Sequence, residues 1–231
     1  MISILYDIFK NWSAKGSVYI ISDPHFRDTE SFEFRTAQGK LPANINTIDA
    51  LAEYQINEIN KVCHKNDTLI CLGDVGDIEC IKRLKAGHKV LILGNHDRGK
   101  DYYMRKINYI MDNAHGTVEI DLNMYRVEDN KLFDEVYAGP LMISDKILLS
   151  HEPIIPCPNY LVNLCGHVHA KKHRFKIKKK LYYNFCAEAI DYKPVSLAEL
   201  IKHGLLSGVK DIHEVTVAGA VARKQSKSKA E

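Results

Sequence analysis

The residues with the most chemistry in this sequence come as short groups: Asp23 and His25; Gly73 and Asp74; Gly94, Asn95, His96 and Asp97; His151; then Gly166, His167 and His169. Imidazoles, carboxylates and an amide, with no thiolate among them, suit Mn, Fe, Zn, Co or Ni better than the all-oxygen coordination of Ca or Mg. The potential ligands are too many for one ion, whereas a pair of divalent ions sharing a bridging carboxylate uses them all. Singly, the groups are weak signals. Asp23-Pro24-His25 is also an ordinary strand-end turn, and Gly166-His167-Val168-His169 is also a turn with surface histidines. Gly94-Asn95-His96-Asp97 is stronger, because a loop straight after an apolar run seldom contains both a His and an Asp. The conjunction of all of them points to a metal centre.

What must position these side chains is legible just upstream of each group. Short apolar, β-branched runs at Ser17–Ser22, Thr68–Leu72, Lys89–Leu93, Lys146–Ser150 and Tyr160–Cys165 read as buried strands of a mostly parallel sheet. Every run ends in a metal-type ligand, and ligands of open α/β sheets sit beyond the carboxyl ends of the strands. Helical periodicity is clearest from Ile48 to Cys63, with Asn46 or Thr47 as N-cap. Further helices are expected at Asp77–Ala86, at Asp101–Asn113 and around Leu197–Lys202, while Asp28–Ala43 lacks periodicity and reads as a loop that could cover a site. Alternating strands and helices imply an α/β layered fold. One domain over residues 1–218 and a disordered tail at 219–231, poor in large apolar side chains, are the expected organisation.

Composition narrows the class without naming a function. The 231 residues are 45% apolar and 26% charged with net charge +3, values of a soluble globular protein that indicate no particular partner. No apolar run approaches the roughly 18 residues of a membrane span, which favours a cytoplasmic protein with no membrane partner. The cysteines at 63, 71, 80, 157, 165 and 186 form no CxxC pair, so neither a disulfide framework nor a structural zinc site is expected.

The ordered set Asp23-Pro24-His25, Gly73-Asp74-Val75-Gly76-Asp77, Gly94-Asn95-His96-Asp97, the lone His151 and Gly166-His167-Val168-His169 resembles the signature of the calcineurin-like metallophosphoesterase superfamily. The resemblance covers roughly Ser17 to Pro194, and Tyr192-Lys193-Pro194-Val195-Ser196-Leu197 is similar to the closing segment of small, cap-less bacterial and phage members. It implies a four-layered α/β sandwich of two mixed sheets flanked by helices, with a dinuclear metal site at the carboxyl ends of the strands. It also implies one divalent ion on Asp23, His25, Asp74 and His169 and a second on Asp74, Asn95, His151 and His167, with Mn foremost. The activity implied is hydrolysis of a phosphate ester by a metal-bridging hydroxide, a water whose pKa two dications lower to about 7. His96 is then the catalytic histidine, oriented by Asp97. The open, cap-less site leans toward phosphodiesters.

Two features fall outside the signature. Arg27 and Arg35 could reach a substrate phosphate or could be solvated loop arginines. The segment Lys171–Lys180, basic with Phe175 and Ile177 interleaved, suggests a hairpin with one charged face. Its lysines either guard a sheet edge against aggregation or attract a nucleic acid, which makes a nuclease an alternative. A non-catalytic metal-binding scaffold is the other alternative, and it would be expected to lack His96 or several ligands.

Overall fold

The computed structural model describes residues 2–97, 132–169 and 172–212, together with the strand backbones at 105–113 and 116–126. The tail expected at 219–231 lies outside the described residues. After a 3₁₀ turn at Asp7–Ser13 come β1 (Val18–Ile21), α1 (Thr29–Ala37), α2 (Ile48–Val62), β2 (Thr68–Cys71), α3 (Ile78–Lys82) and β3 (His88–Ile92). Strands β4 (Arg105–Asn113) and β5 (Gly116–Arg126) form a hairpin, followed by β6 (Glu135–Tyr137), β7 (Leu141–Met142), β8 (Ile147–Leu149) and β9 (Val162–Cys165). A second hairpin, β10 (Arg174–Ile177) with β11 (Lys180–Asn184), precedes a 3₁₀ turn at Ala187–Ile190, β12 (Val195–Ser196) and α4 (Leu197–Lys202).

These strands form two mixed sheets, a seven-stranded one in the order β12-β1-β2-β3-β6-β5-β4 and a five-stranded one in the order β10-β11-β9-β8-β7. The centre of each is parallel: β1, β2, β3 and β6 in the first, β8, β9 and β11 in the second. Central strands buried on both faces read as continuous apolar runs, which is why they were recognisable. Val18, Ile20, Ile70, Leu72, Val90 and Ile92 point from the first sheet into a core shared with Ile147, Leu149, Val162 and Leu164 of the second. The alternate residues Ile21, Leu69, Cys71 and Leu91 face outward against Leu51, Ala52, Ile56 and Ile59 of α2. Each Ile or Leu withdrawn fully from water contributes about 1.5–3 kcal/mol, so this shared core holds the two sheets together. On the outer face of the second sheet, Leu148, Cys165 and Tyr182 pack with Cys157 and Leu161.

Two expected elements differ. The helix expected at Asp101–Asn113 is, from Arg105 on, the first strand of a β-hairpin. Val118, Ile120, Leu122 and Met124 alternate with polar residues at period two, and that strand takes Arg105–Asn113 as its antiparallel partner. Conversely, the segment expected as a loop at Asp28–Ala43 contains α1. Asp28 caps it by accepting the Ser31 N–H at 2.7 Å. The helix has no apolar stripe because the residues it buries are Ser31 and Arg35.

Candidate metal centre

The carboxyl ends of β1, β2 and β3 in one sheet meet those of β8 and β9 in the other. Backbone bonds stitch this junction: Ser22 N–H donates to the Phe185 carbonyl at 2.8 Å, Asp23 N–H to Gly73 at 2.9 Å and Gly166 N–H to His151 at 2.8 Å. The chain then turns abruptly, and Asp23, His25, Asp74 and His167 all adopt positive φ, between 46° and 66°. Such conformations cost of order 1–3 kcal/mol each and cluster at functional sites. Glycine is required where backbones come closest. A Cβ on Gly94 would lie 2.1 Å from Asp74 Oδ1, and one on Gly166 would lie 2.2 Å from Asp23 Oδ2.

The structure brings together Asp23, His25, Asp74, Asn95, His151, His167 and His169, every metal ligand expected from the sequence. Asp23 is fully buried. Its Oδ2 is saturated, accepting from the Ser22 hydroxyl, the His167 N–H at 2.9 Å and the Cys186 thiol at 3.4 Å. Its Oδ1 has no hydrogen-bond partner and lies 3.3 Å from His169 Nε2 and 3.8 Å from His25 Nε2. His25 Nε2 is likewise buried without a partner, 3.6 Å from Asp74 Oδ2. Asp74 Oδ1 accepts the His96 N–H at 2.9 Å, leaving Oδ2 toward His25 and, at 3.3 Å, His151 Nε2. Asn95 Oδ1 faces His151 Nε2 at 2.9 Å and His167 Nδ1 at 3.2 Å.

The tautomers are fixed from behind. His151 donates Nδ1–H to the Leu72 carbonyl at 2.7 Å, and His169 donates Nδ1–H to Glu188 Oε1 at 2.7 Å. Once its Nε2 proton is displaced, each would turn the Nε2 lone pair to the centre, the arrangement in which an outer hydrogen bond orients a metal-binding imidazole. Glu188 in turn accepts from Arg35 Nε at 3.1 Å. The Arg35 guanidinium is wholly buried and also donates to the Asp23 carbonyl at 2.6 Å and the Pro24 carbonyl at 3.1 Å. Arg35, expected near substrate, thus lies beneath the site with no face toward solvent. Arg27 turns aside to Asp49 at 2.8 Å and Asp77 at 3.4 Å.

Asp97 also differs from expectation. Its carboxylate accepts the N–H groups of Asp74 at 2.7 Å, Gly94 at 2.9 Å and Val75 at 3.2 Å, so it ties the loops after β2 and β3 together rather than holding the His96 ring. His96 stands exposed at the rim, its ring centroid 5.3 Å from that of His25.

Electrostatics agree with a cation site. Burial alone pushes the Asp23 carboxyl up, but the neighbouring imidazoles of His169, His25 and His151 outweigh it and hold it well below the usual carboxylate range. Asp74 is lowered likewise, burial being overcome mainly by His151. Burial pulls His151 and His169 down, yet their carboxylate partners raise both to about 9. Anions packed this closely await cations: protons in the bare protein, metal ions when these are supplied. Burial and the Asp23 charge push the Cys186 thiol well above its ordinary value, so it serves Asp23 as a neutral donor. The orphaned Asp23 Oδ1 and His25 Nε2 and the mixed N/O donor set fit divalent ions.

Sequence reasoning missed Glu188, Arg35 as a support, and Cys186. Glu188 lies 19 residues beyond His169 and 153 beyond Arg35 in the chain, and no local pattern marks either pairing.

The family profile described as calcineurin-like phosphoesterase matches residues 16–227. A protein of unknown function from Aquifex aeolicus has a similar fold, with TM-score 0.52 and 22% identity over 81% of this chain and 98% of that one. Comparison with curated proteins finds no match.

Proposed function

This chain belongs to the calcineurin-like phosphoesterase family, and from that premise we propose that it is a dinuclear hydrolase of phosphate esters, with phosphodiesters the favoured class. Asp23, His25, Asp74 and His169 would hold one divalent ion, and Asp74, Asn95, His151 and His167 the other, with Asp74 shared. The mixed imidazole, carboxylate and amide donors suit Mn, Fe, Zn, Ni or Co, and the family resemblance puts Mn foremost. When bound, such ions supply a water acidified to a pKa of about 7 and Lewis acidity toward phosphate oxygens. The observation that supports this most is the pair of buried, unpartnered atoms, Asp23 Oδ1 and His25 Nε2. A buried polar atom without a partner costs of order 1–3 kcal/mol, a penalty that a bound ion removes.

The remaining roles belong to the protein. Asp97 fixes the loop that carries Asn95 and His96 against the loop of Asp74. His96, free in solvent at the rim, is placed to stabilise charge on the phosphoryl oxygens or to give a proton to the leaving oxygen. Asn95 and His167 are exposed beside it, and a rim this open admits an ester with substituents on both sides of phosphorus. Among the described residues no helix is long and apolar enough to cross a membrane.

The test is to strip the protein of metal, restore Mn, Ni, Co, Zn or Mg singly, and follow chromogenic phosphate mono- and diesters, with Asp74→Ala as control. Metal-dependent turnover that is greater on the diester and absent in the control supports the proposal. Stoichiometric binding of two ions with no turnover on either ester would favour a metal-binding scaffold instead.

A further inference from the structure

At the amino-terminal ends of β9 and β11, the opposite end of the second sheet from the metal centre, lies a cavity of about 310 Å³. Its floor is apolar, formed in part by Leu181 and the buried Leu205, and its wall carries Lys178, Lys179, Lys180 and Lys210. No carboxylate lines it. Lys180 Nζ donates to the Pro158 carbonyl at 2.9 Å, while among the described residues no ion pair engages Lys178, Lys179 or Lys210. Ammonium groups gathered without counter-charge repel one another, and the arrangement becomes favourable when an anion enters.

The backbone adds a second observation. Ile177 pairs with Lys180, so the β10–β11 hairpin closes through Lys178 and Lys179 alone, both at positive φ, 46° and 70°. A two-residue turn with both φ values positive strongly prefers Asn-Gly or Asp-Gly, because other side chains are strained there. Here the turn residues are two lysines beside the cavity. The turn therefore carries two charged side chains at positions where Asn and Gly would be less strained.

We propose that this cavity is a binding site for a nucleoside phosphate, with the phosphates on the lysines and the flat apolar base against the floor. Its volume lies at the lower end of the range of small-molecule pockets, about 300–1,000 Å³, which suits a mononucleotide. The site is separate from the metal centre and does not depend on its chemistry. From the sequence, the basic segment at 171–180 either guards a sheet edge or attracts nucleic acid beside the metal centre. The hairpin instead carries its densest lysines to the far end of the sheet.

The experiment measures binding of a non-hydrolysable ATP analogue and of inorganic pyrophosphate to the full chain by calorimetry at low salt. Three proteins are compared: the natural sequence, Lys178→Asn with Lys179→Gly, and Asp74→Asn. The turn variant has the residues this turn prefers, so it is expected to melt at a higher temperature and yet to bind the analogue at least tenfold more weakly. Asp74→Asn is expected to bind as the natural protein does, and the analogue is expected to bind more tightly than pyrophosphate. The proposal is overturned if the turn variant keeps full affinity, if affinity is lost in Asp74→Asn instead, or if the natural protein binds neither probe. Equal affinity for the two probes would remove the nucleoside, and a single-stranded oligonucleotide binding far more tightly through the same lysines would replace the small molecule with a nucleic acid.

Discussion

On one side of Asp74, Asp23 and His25 are buried and His169 is half-buried, and behind them Glu188 and Arg35 are closed off from solvent. On the other side, His151 is buried but Asn95 and His167 are exposed. The first half takes its geometry from charged groups locked in the core. The second takes it from a backbone carbonyl, that of Leu72, and from side chains with solvent freedom. On the proposed two-ion reading, the difference teaches that the two halves would not be equal in strength. An ion in the first half would meet ligands whose ordering was completed on folding, whereas an ion in the second would also have to immobilise Asn95 and His167.

The largest effect should come from the residue common to both halves. Asp74→Ala is expected to lose both ions and all measurable turnover, read by metal analysis and ester hydrolysis; retention of either ion at natural affinity would break the comparison at its centre. Next, His96→Ala should leave both ions bound and lower kcat by about 10²–10⁴-fold, the usual reach of general acid–base catalysis. An unchanged rate would remove His96 from the mechanism. Within the first half, Glu188→Ala should weaken the tighter ion by about 10–100-fold, as loss of an outer hydrogen bond to a ligand histidine does, and leave the weaker ion alone. Calorimetric titration that showed equal affinities in the natural protein would dissolve the asymmetry. Arg35→Met should destabilise the fold by about 3–5 kcal/mol in denaturant melts, because it leaves one oxygen of the buried Glu188 and the Asp23 and Pro24 carbonyls without their donor.

The smallest effect is one of pH. His151 and His169, raised to about 9 from an ordinary 6.5, bind protons more tightly folded than unfolded. Their contribution to the metal-free protein is therefore complete below about pH 6.5 and lost as pH rises through about 9. The melting temperature of metal-free protein should fall across that window, and saturating metal, which takes the neutral imidazoles, should abolish the fall. A flat profile without metal would mean that the carboxylates do not hold these histidines as the geometry indicates.

How much of this was legible beforehand depends on the range of the interactions. The strands that deliver the ligands were readable because strands buried on both faces leave uninterrupted apolar runs, and the ligands sit within a few residues of where those runs stop. Helix α2 was readable because one face is apolar and the other is not. Helix α1 was not, since it buries a serine and an arginine. The hairpin of β4 and β5 was misread because its first strand, taken alone, also fits a helical period; the alternation that decides the matter lies in the second strand. Arg27 and Arg35 looked equivalent in sequence, yet one is held at the surface by Asp49 and Asp77 and the other is sealed under the site by Glu188.

By itself the sequence determined which residues could hold metal, the order in which strands present them and the layered α/β class, because each depends on side-chain type and short-range periodicity. The tertiary structure decided what each of those residues leans on. Asp97 holds backbone amides and not the His96 ring, Glu188 orients His169 from across the chain, and the lysine-rich turn lies at the far end of the sheet from the ligands. These are contacts between segments far apart in sequence, set by how two sheets pack through a common core, and no local pattern of residues encodes them.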